Sequence, residues 1–224
     1  MEKKRLIRSV LIKVPVGLVA IGATLFVPAG TLNYWNGWLY MILLMIPVTY
    51  SFFFFYKRDP QLLEKRLNYK EKFKAQKIYM ALSIPAAILI FVIPGLDFRY
   101  GWSPVPLPTV ILSTAVFLCG YALFIKVLKT NSYASRTIEI QQGQKVISTG
   151  PYAIVRHPMY TSALIIYAAT PIILGSLYSE LTIIPLIALV IFRIIHEEKT
   201  LAKDLPGYRE YLQKVKYRLI PGLW

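Results

Sequence analysis

Side chains able to do chemistry concentrate in two stretches, Gln144-Lys-Val-Ile-Ser-Thr-Gly-Pro-Tyr-Ala-Ile-Val-Arg-His-Pro-Met-Tyr160 and Arg193-Ile-Ile-His-Glu-Glu-Lys199. In the first, Gly150-Pro151 signals a turn, and His157-Pro158 starts a helix with proline at its favoured first position. Free amides at such a start form a positive end that suits a carboxylate or phosphate. Tyr152, Arg156, His157 and Tyr160 add donors around it. The competing reading is structural, with Arg156 snorkelling to lipid phosphates and His157 capping the helix.

In the second stretch Arg193 and Glu197 are four apart and share a helix face. Arg193 follows Ile187-Ala-Leu-Val-Ile-Phe192 near the end of an apolar run, where a charge is costly and marks a functional site by default. An interfacial salt bridge between the two is the plainer alternative. Glu197-Glu198 puts negative charge at a helix end, against the helix dipole. A cationic or diol-bearing ligand would offset that inconsistency. His196 has no metal-ligand partner at a useful spacing, so no metal is expected, and the single cysteine, Cys119, sits in an apolar run and reads as packing.

The elements that must position these residues are set by an unusual composition. Of 224 residues, 56% are apolar and only 17% charged, against usual values of roughly 45–50% and 25%. Charged residues are absent from Val14 to Tyr56, Ile78 to Leu96, Tyr100 to Ile125 and His157 to Ser179. A span needs about 20 apolar residues. The first run therefore holds two helices, near 10–28 and 36–56, broken at Pro28-Ala-Gly-Thr-Leu-Asn-Tyr-Trp-Asn-Gly-Trp38. The next two give spans near 78–96 and 107–127. From Pro158 to Ile195 two shorter apolar segments flank Gly175-Ser-Leu-Tyr-Ser-Glu180, a tilted or partly re-entrant hairpin. The expected fold is all-α and polytopic, with about six transmembrane helices and a C-terminal cytoplasmic helix.

The net charge of +15 would suggest nucleic acid in a soluble chain, but here it reads as topology, and no nucleic-acid partner is expected. With six spans, 25 of the 26 Lys and Arg residues fall on one side and only Arg99 on the other. This places both termini in the cytoplasm, in the plasma membrane of a prokaryote or the endoplasmic reticulum of a eukaryote. The N-terminal segment reads as a permanent span, since Lys13 interrupts any signal-peptide pattern. The organisation is then four N-terminal helices over 1–128, with a basic loop at 57–77, and a catalytic region over 129–224. The basic loop interleaves Leu62, Leu63, Leu67, Tyr69 and Phe73, which suits a helix on anionic membrane lipids or an ordinary positive-inside loop. The stretch from Asp204 to Val215, with Pro206 just inside a helix, sets Tyr208, Tyr211, Leu212 and Val215 on one face, ready to pack against the membrane domain or a site there.

Gly150-Pro-Tyr-Ala-Ile-Val-Arg-His-Pro-Met-Tyr160, Arg193-x-x-x-Glu-Glu198, Gly207-Tyr-Arg-Glu-Tyr211 and Tyr217-Arg-Leu-Ile-Pro221 occur in that order. Together they resemble the isoprenylcysteine carboxyl methyltransferase family and its phospholipid methyltransferase relatives, over about residues 130–221. The resemblance implies an integral membrane enzyme that uses S-adenosylmethionine without a Rossmann domain. By position it implies a cofactor wall from Gln144, Lys145, Val146 and Ile147, completed by Tyr152, His157, Pro158, Met159 and Tyr160. It further implies that Glu197 binds the cofactor and that Arg193 faces a lipophilic methyl acceptor. Two positions depart from the pattern: Ser162 stands where the family often has glycine, and the fourth span has Gly120 but no Gly-x-Gly.

The acceptor stays open between a prenylated cysteine, a lipid headgroup, a thiol or another apolar compound, as does the oligomeric state. Two other readings compete. The C-terminal run resembles that of NADPH-dependent sterol reductases, which are generally much longer, and a non-catalytic membrane protein would use Arg193 and Glu197 only as a structural pair.

Overall fold

The computed structural model describes residues 2–67, 74–134 and 140–224, and among them the chain is all-helical. Helices α1 (Glu2–Ala29), α2 (Trp35–Arg58), α4 (Lys74–Tyr100), α5 (Leu107–Thr130) and α7 (Ile183–Asp204) are long, and α3 (Pro60–Leu67), α6 (Pro158–Ile173) and α8 (Tyr208–Lys214) are short. Five segments are long and apolar enough to cross a membrane: Leu6–Ala29, Trp35–Arg58, Ala81–Tyr100, Leu107–Thr130 and Tyr178–Asp204. The chain is a polytopic membrane protein. Its outward faces carry Leu11, Val16, Val19, Ile42, Phe53 and Ile111, all exposed. Such faces are costly in water and natural in lipid.

The sixth expected span is shorter than the rest. Helix α6 has 16 residues, about 24 Å at 1.5 Å per residue, against a hydrocarbon core of roughly 30 Å. Its last carbonyls would be orphaned at a depth where water is scarce. Neighbouring side chains satisfy them instead. Tyr34 Oη donates to the Leu174 carbonyl at 2.5 Å, and Asn36 Nδ2 to that of Ile173 at 2.7 Å. The chain then turns at Gly175, whose φ of 82° no β-carbon-bearing residue adopts easily. Asp97, almost fully buried, accepts from Ser176 Oγ at 2.5 Å and from the Ser103 amide at 2.7 Å. Ser103 Oγ accepts in turn from the Leu177 and Tyr178 amides.

The core sits where α1, α2, α5 and α6 meet, around Leu25, Tyr34, Tyr40, Phe117, Ile166 and Ile173. Gly120 permits the close packing of α5 on α6, since a β-carbon there would lie 2.9 Å from Ile166 Cγ1. Its role is steric, within a fold whose helix–helix contacts depend on small residues.

The basic loop is only partly a surface feature. Leu62 in α3 is buried against Phe55, Leu128 and Ala134, so it faces the bundle and not lipid. Lys13 Nζ donates to the Leu67 carbonyl at 2.6 Å, and Arg66 Nη1 to that of Ala134 at 3.0 Å. Tyr69 and Phe73 lie outside the described residues. At the other end, Pro206 precedes α8 and does not sit inside it, because the helix begins only after Gly207 in the left-handed region. The expected apolar face of α8 is real: Tyr208, Tyr211 and Val215 pack with Leu205, Val146 and Leu201.

Gly95 carries a sharp expectation, because a β-carbon there would stand 2.6 Å from the Leu25 carbonyl oxygen in α1. Gly95→Ala should cost about 1–3 kcal/mol through backbone displacement. Gly17→Ala, with nothing within 4 Å of the added atom, should not destabilise. Thermal melting in detergent checks both, and equal melting of the two variants would contradict the close α1–α4 contact.

Candidate functional site

The two chemistry-bearing stretches meet, and the carboxylate that joins them is Glu198. It is 8% exposed and lies on the inner face of α7. Arg156 Nε donates to its Oε1 at 2.7 Å and Arg218 Nε to its Oε2 at 2.8 Å, while His157 Nε2 lies 3.2 Å from Oε1. Backbone bonds reinforce this knot. The Arg156 amide donates to the Tyr217 carbonyl and the His157 amide to that of Arg218, both at 2.9 Å. Arg156 Nη1 also donates to the Val215 and Lys216 carbonyls, both at 2.9 Å. The start of α6, the end of α7 and the C-terminal segment are thereby fastened at one point.

This corrects three readings of the sequence. Arg156 does not snorkel to lipid, because burial and three side-chain hydrogen bonds to protein acceptors hold it inward. His157 occupies the N-cap position of α6 without a side-chain capping bond, its ring turned to Glu198 instead. The Glu197-Glu198 pair does not need a ligand to offset Glu198, since this chain's own guanidinium groups do so.

Beside the knot is a cavity of about 120 Å³ that opens to solvent. Gln144, Lys145, Val146 and Ile147 line it, as do Tyr152, His157, Met159 and Tyr160, together with Arg193 and Glu197. These residues are separated by up to 53 positions in the chain yet share one space. Pro158 is buried and does not line the cavity; it sets the first turn of α6. Arg193 and Glu197 are coupled through a third group. Arg193 Nε donates to Tyr160 Oη at 2.8 Å, and that hydroxyl donates to Glu197 Oε2 at 2.6 Å. The i to i+4 spacing put both charges on one face, and the α6 tyrosine links them.

Residues that the motifs did not single out, Asn131, Tyr133 and Ala134 after α5, Leu201 on α7 and Leu205 at its C-cap, complete the wall with Tyr208 and Tyr211 of the Gly207–Tyr211 motif on α8. The three-residue spacing of the two tyrosines was the available signal for α8. Nothing in the local pattern marked Asn131, whose Nδ2 donates to Tyr152 Oη at 3.0 Å. Tyr211 Oη donates to the Tyr152 carbonyl at 2.7 Å, tying α8 to the turn before α6. Burial pushes the Tyr152 hydroxyl up to about 12, with Glu197 adding to the shift. Burial raises Tyr208 and Tyr211 as well, helped at Tyr208 by Glu198 and Glu197. All three phenols therefore stay protonated at neutral pH and act as donors. Tyr208 Oη is buried and, among the described residues, has no hydrogen-bond partner.

Replacing one partner of a buried ion cluster leaves the others uncompensated, at a cost of about 3–5 kcal/mol. Glu198→Gln should therefore lower the melting temperature and free the C-terminal segment, with faster tryptic cleavage after Lys214, Lys216 and Arg218. A cleavage pattern unchanged from the parent would mean that Glu198 does not hold the segment down.

The model of the phospholipid methyltransferase family matches residues 108–206. No curated protein was found to match the chain. The matched stretch runs from the first turn of α5 through the α6–α7 hairpin to the turn before α8. It contains Arg156, Tyr160, Arg193, Glu197 and Glu198, while Tyr208, Tyr211 and Arg218 fall beyond it. Over these residues, which carry most of the cavity wall, the chain is similar to the phospholipid methyltransferase family.

Proposed function

We propose that the chain transfers the methyl group of S-adenosylmethionine to a lipidic or apolar acceptor, the carboxylate of a prenylated cysteine being one candidate. The observation that carries this reading is the Arg193–Tyr160–Glu197 relay at the cavity wall. It sets a fixed cation and a fixed anion side by side, each held by the same hydroxyl. Glu197 suits the positively charged or diol-bearing part of the cofactor, and Arg193 suits an acceptor carboxylate or phosphate, which a guanidinium can grip with two bonds. The strip Gln144 to Ile147, with Tyr152, His157, Met159 and Tyr160, supplies amides, hydroxyls and apolar surface around them. The donor set fits such a cofactor. The cavity's 120 Å³ is below the roughly 300 Å³ at the lower end for small-molecule sites, so a ligand of this size also extends through its open mouth.

When bound, S-adenosylmethionine supplies an electrophilic methyl on a sulfonium. Glu197 and the strip Gln144 to Ile147 would hold it, and its neutral thioether would be the leaving group once the methyl passed to the acceptor's electron pair. A carboxylate acceptor has no proton to lose, so the side chains here need only bind and align. Alignment contributes about 7–11 kcal/mol in well-oriented systems. Tyr160 orients both charges through its hydroxyl. Arg193 fixes the acceptor end, and Leu201, Leu205 and Tyr211 wall the opposite end with apolar surface.

The same reading puts the cavity on the cytoplasmic face, where 25 of 26 Lys and Arg residues collect. In a Cys119→Ser background, Gln213→Cys should label only from the cytoplasmic side and Asn33→Cys only from the opposite side. The reverse pattern would overturn the orientation.

Ligand-induced stabilisation tests the function. S-adenosylmethionine or S-adenosylhomocysteine at 100 times its dissociation constant should add about 2.7 kcal/mol. Stabilisation by NADPH and by neither adenosyl compound would favour a reductase instead. Glu197→Gln should weaken cofactor binding, Arg193→Ala should spare it and lower turnover, and Tyr160→Phe should impair both by about 10- to 100-fold. Unchanged cofactor affinity in Glu197→Gln would count against the assignment.

A further inference from the structure

The outward side of α2 changes character toward its C-terminal end. Ile42, Ile46, Tyr50 and Phe53 are exposed along it, and Arg58 is its last residue. From Ile42 to Arg58 is about 24 Å at 1.5 Å per residue, more than the roughly 15 Å of hydrocarbon in one leaflet. Tyr50 stacks on Phe54, with ring centres 5.9 Å apart. Two cations meet on the Phe54 ring: the Arg58 guanidinium lies 5.2 Å from its centre, and Lys129 Nζ of α5 lies 4.1 Å from it. Lys129 Nζ also donates to Tyr50 Oη at 3.0 Å. Both cations are exposed, and among the described residues neither has a carboxylate partner. Asp59, next to Arg58 in the chain, accepts instead from the Leu62 amide. Arg58 makes no hydrogen bond among the described residues and Lys129 only the one to Tyr50, so most of their donors are open. The helix dipole favours a cation in the last turn of each helix. It does not bring cations of two helices onto one ring, where they repel each other. An anion between them removes that repulsion.

We infer that Arg58 and Lys129 bind the phosphate of an anionic phospholipid, whose acyl chains lie along the face of α2 that carries Ile42, Ile46 and Phe53. Charge chooses the headgroup. A net-negative phosphodiester accepts charge-assisted hydrogen bonds from both side chains. A zwitterionic headgroup brings an ammonium of its own, and the ring that would attract it is already taken by two cations. Position chooses a lipid over a soluble anion. The pair stands where two membrane-length segments, Trp35–Arg58 and Leu107–Thr130, end together, next to exposed apolar side chains. Tyr50 is of the residue type that gathers at the membrane interface. Tyr50, Phe54, Arg58 and Lys129 do not line the cavity, so the lipid site stands apart from the proposed methyl transfer.

Native mass spectrometry of the delipidated chain in detergent, titrated with phosphatidylglycerol or with phosphatidylcholine of the same acyl chains, tests the inference. The parent protein should bind phosphatidylglycerol about 10- to 30-fold more tightly than phosphatidylcholine, and Arg58→Gln/Lys129→Gln should lose that preference. Lys57→Gln/Lys126→Gln removes the same charge from neighbouring exposed positions and should keep it. Equal losses in the two double variants would mean general attraction of basic residues to anionic lipid and would overturn the site. Equal affinity of the parent protein for both lipids would overturn it as well. Displacement of phosphatidylglycerol by an equal concentration of glycerol phosphate would overturn the lipid assignment in favour of a soluble anion. The four substituted positions are exposed, so both double variants should melt with the parent protein. Should Arg58→Gln/Lys129→Gln melt lower, Arg58→Lys/Lys129→Arg decides the matter: a retained preference supports the phosphate site, and a lost one overturns it.

Discussion

The buried carboxylate of Glu198 is the constraint on which the site depends. Two guanidinium groups and an imidazole from distant parts of the chain converge on its two oxygens. Desolvating such charges is costly, and the mutual attraction offsets the cost only when the geometry is good and the remaining donors are used. Here they are, because Arg156 spends a further nitrogen on the Val215 and Lys216 carbonyls. The result is positional more than stabilising. It brings Tyr160 of α6 to the face of α7 that carries Arg193 and Glu197, and it holds the segment after α8 against both.

A second polar arrangement does the complementary job at the opposite end of the same hairpin. Helix α6 is too short to carry its own C-terminal carbonyls to a membrane surface, so Tyr34 and Asn36 reach across to accept that role. Asp97 and Ser103 then close the turn. With both ends of α6 fixed, one by ions and one by hydrogen bonds, the helix acts as a rigid post. Tyr160 stands near its base, one helical turn from the ion knot, and owes its position to both.

The site divides labour between these layers. Glu198, Arg156 and Arg218 satisfy one another and have little left for a ligand. Arg193 and Glu197 are tied to a shared neutral hydroxyl at the cavity wall. Adjacent glutamates on one helix thus have opposite fates, because successive helix positions are rotated by about 100° and only one of them points into the bundle. The family match ends at residue 206, yet α8 and Arg218 contribute the apolar end of the cavity and one arm of the knot.

Much of this was legible in the amino-acid order alone. Charge-free runs gave away the long helices, since desolvating a charge in lipid is prohibitive wherever it occurs along the chain. Pro158 announced the start of α6, and the spacing of Arg193 and Glu197 announced a shared face, because both are properties of a single turn of helix. Glycine marked the turn at Gly175 for an equally local reason. What only the tertiary structure decided was which charges are consumed and which remain available. Arg156, open between a site donor and a lipid anchor, is an internal strut, and Glu198 looked like an unbalanced charge and is met by two guanidinium groups and an imidazole. Those outcomes depend on partners 20 to 60 residues away, and no local periodicity encodes the distance between them.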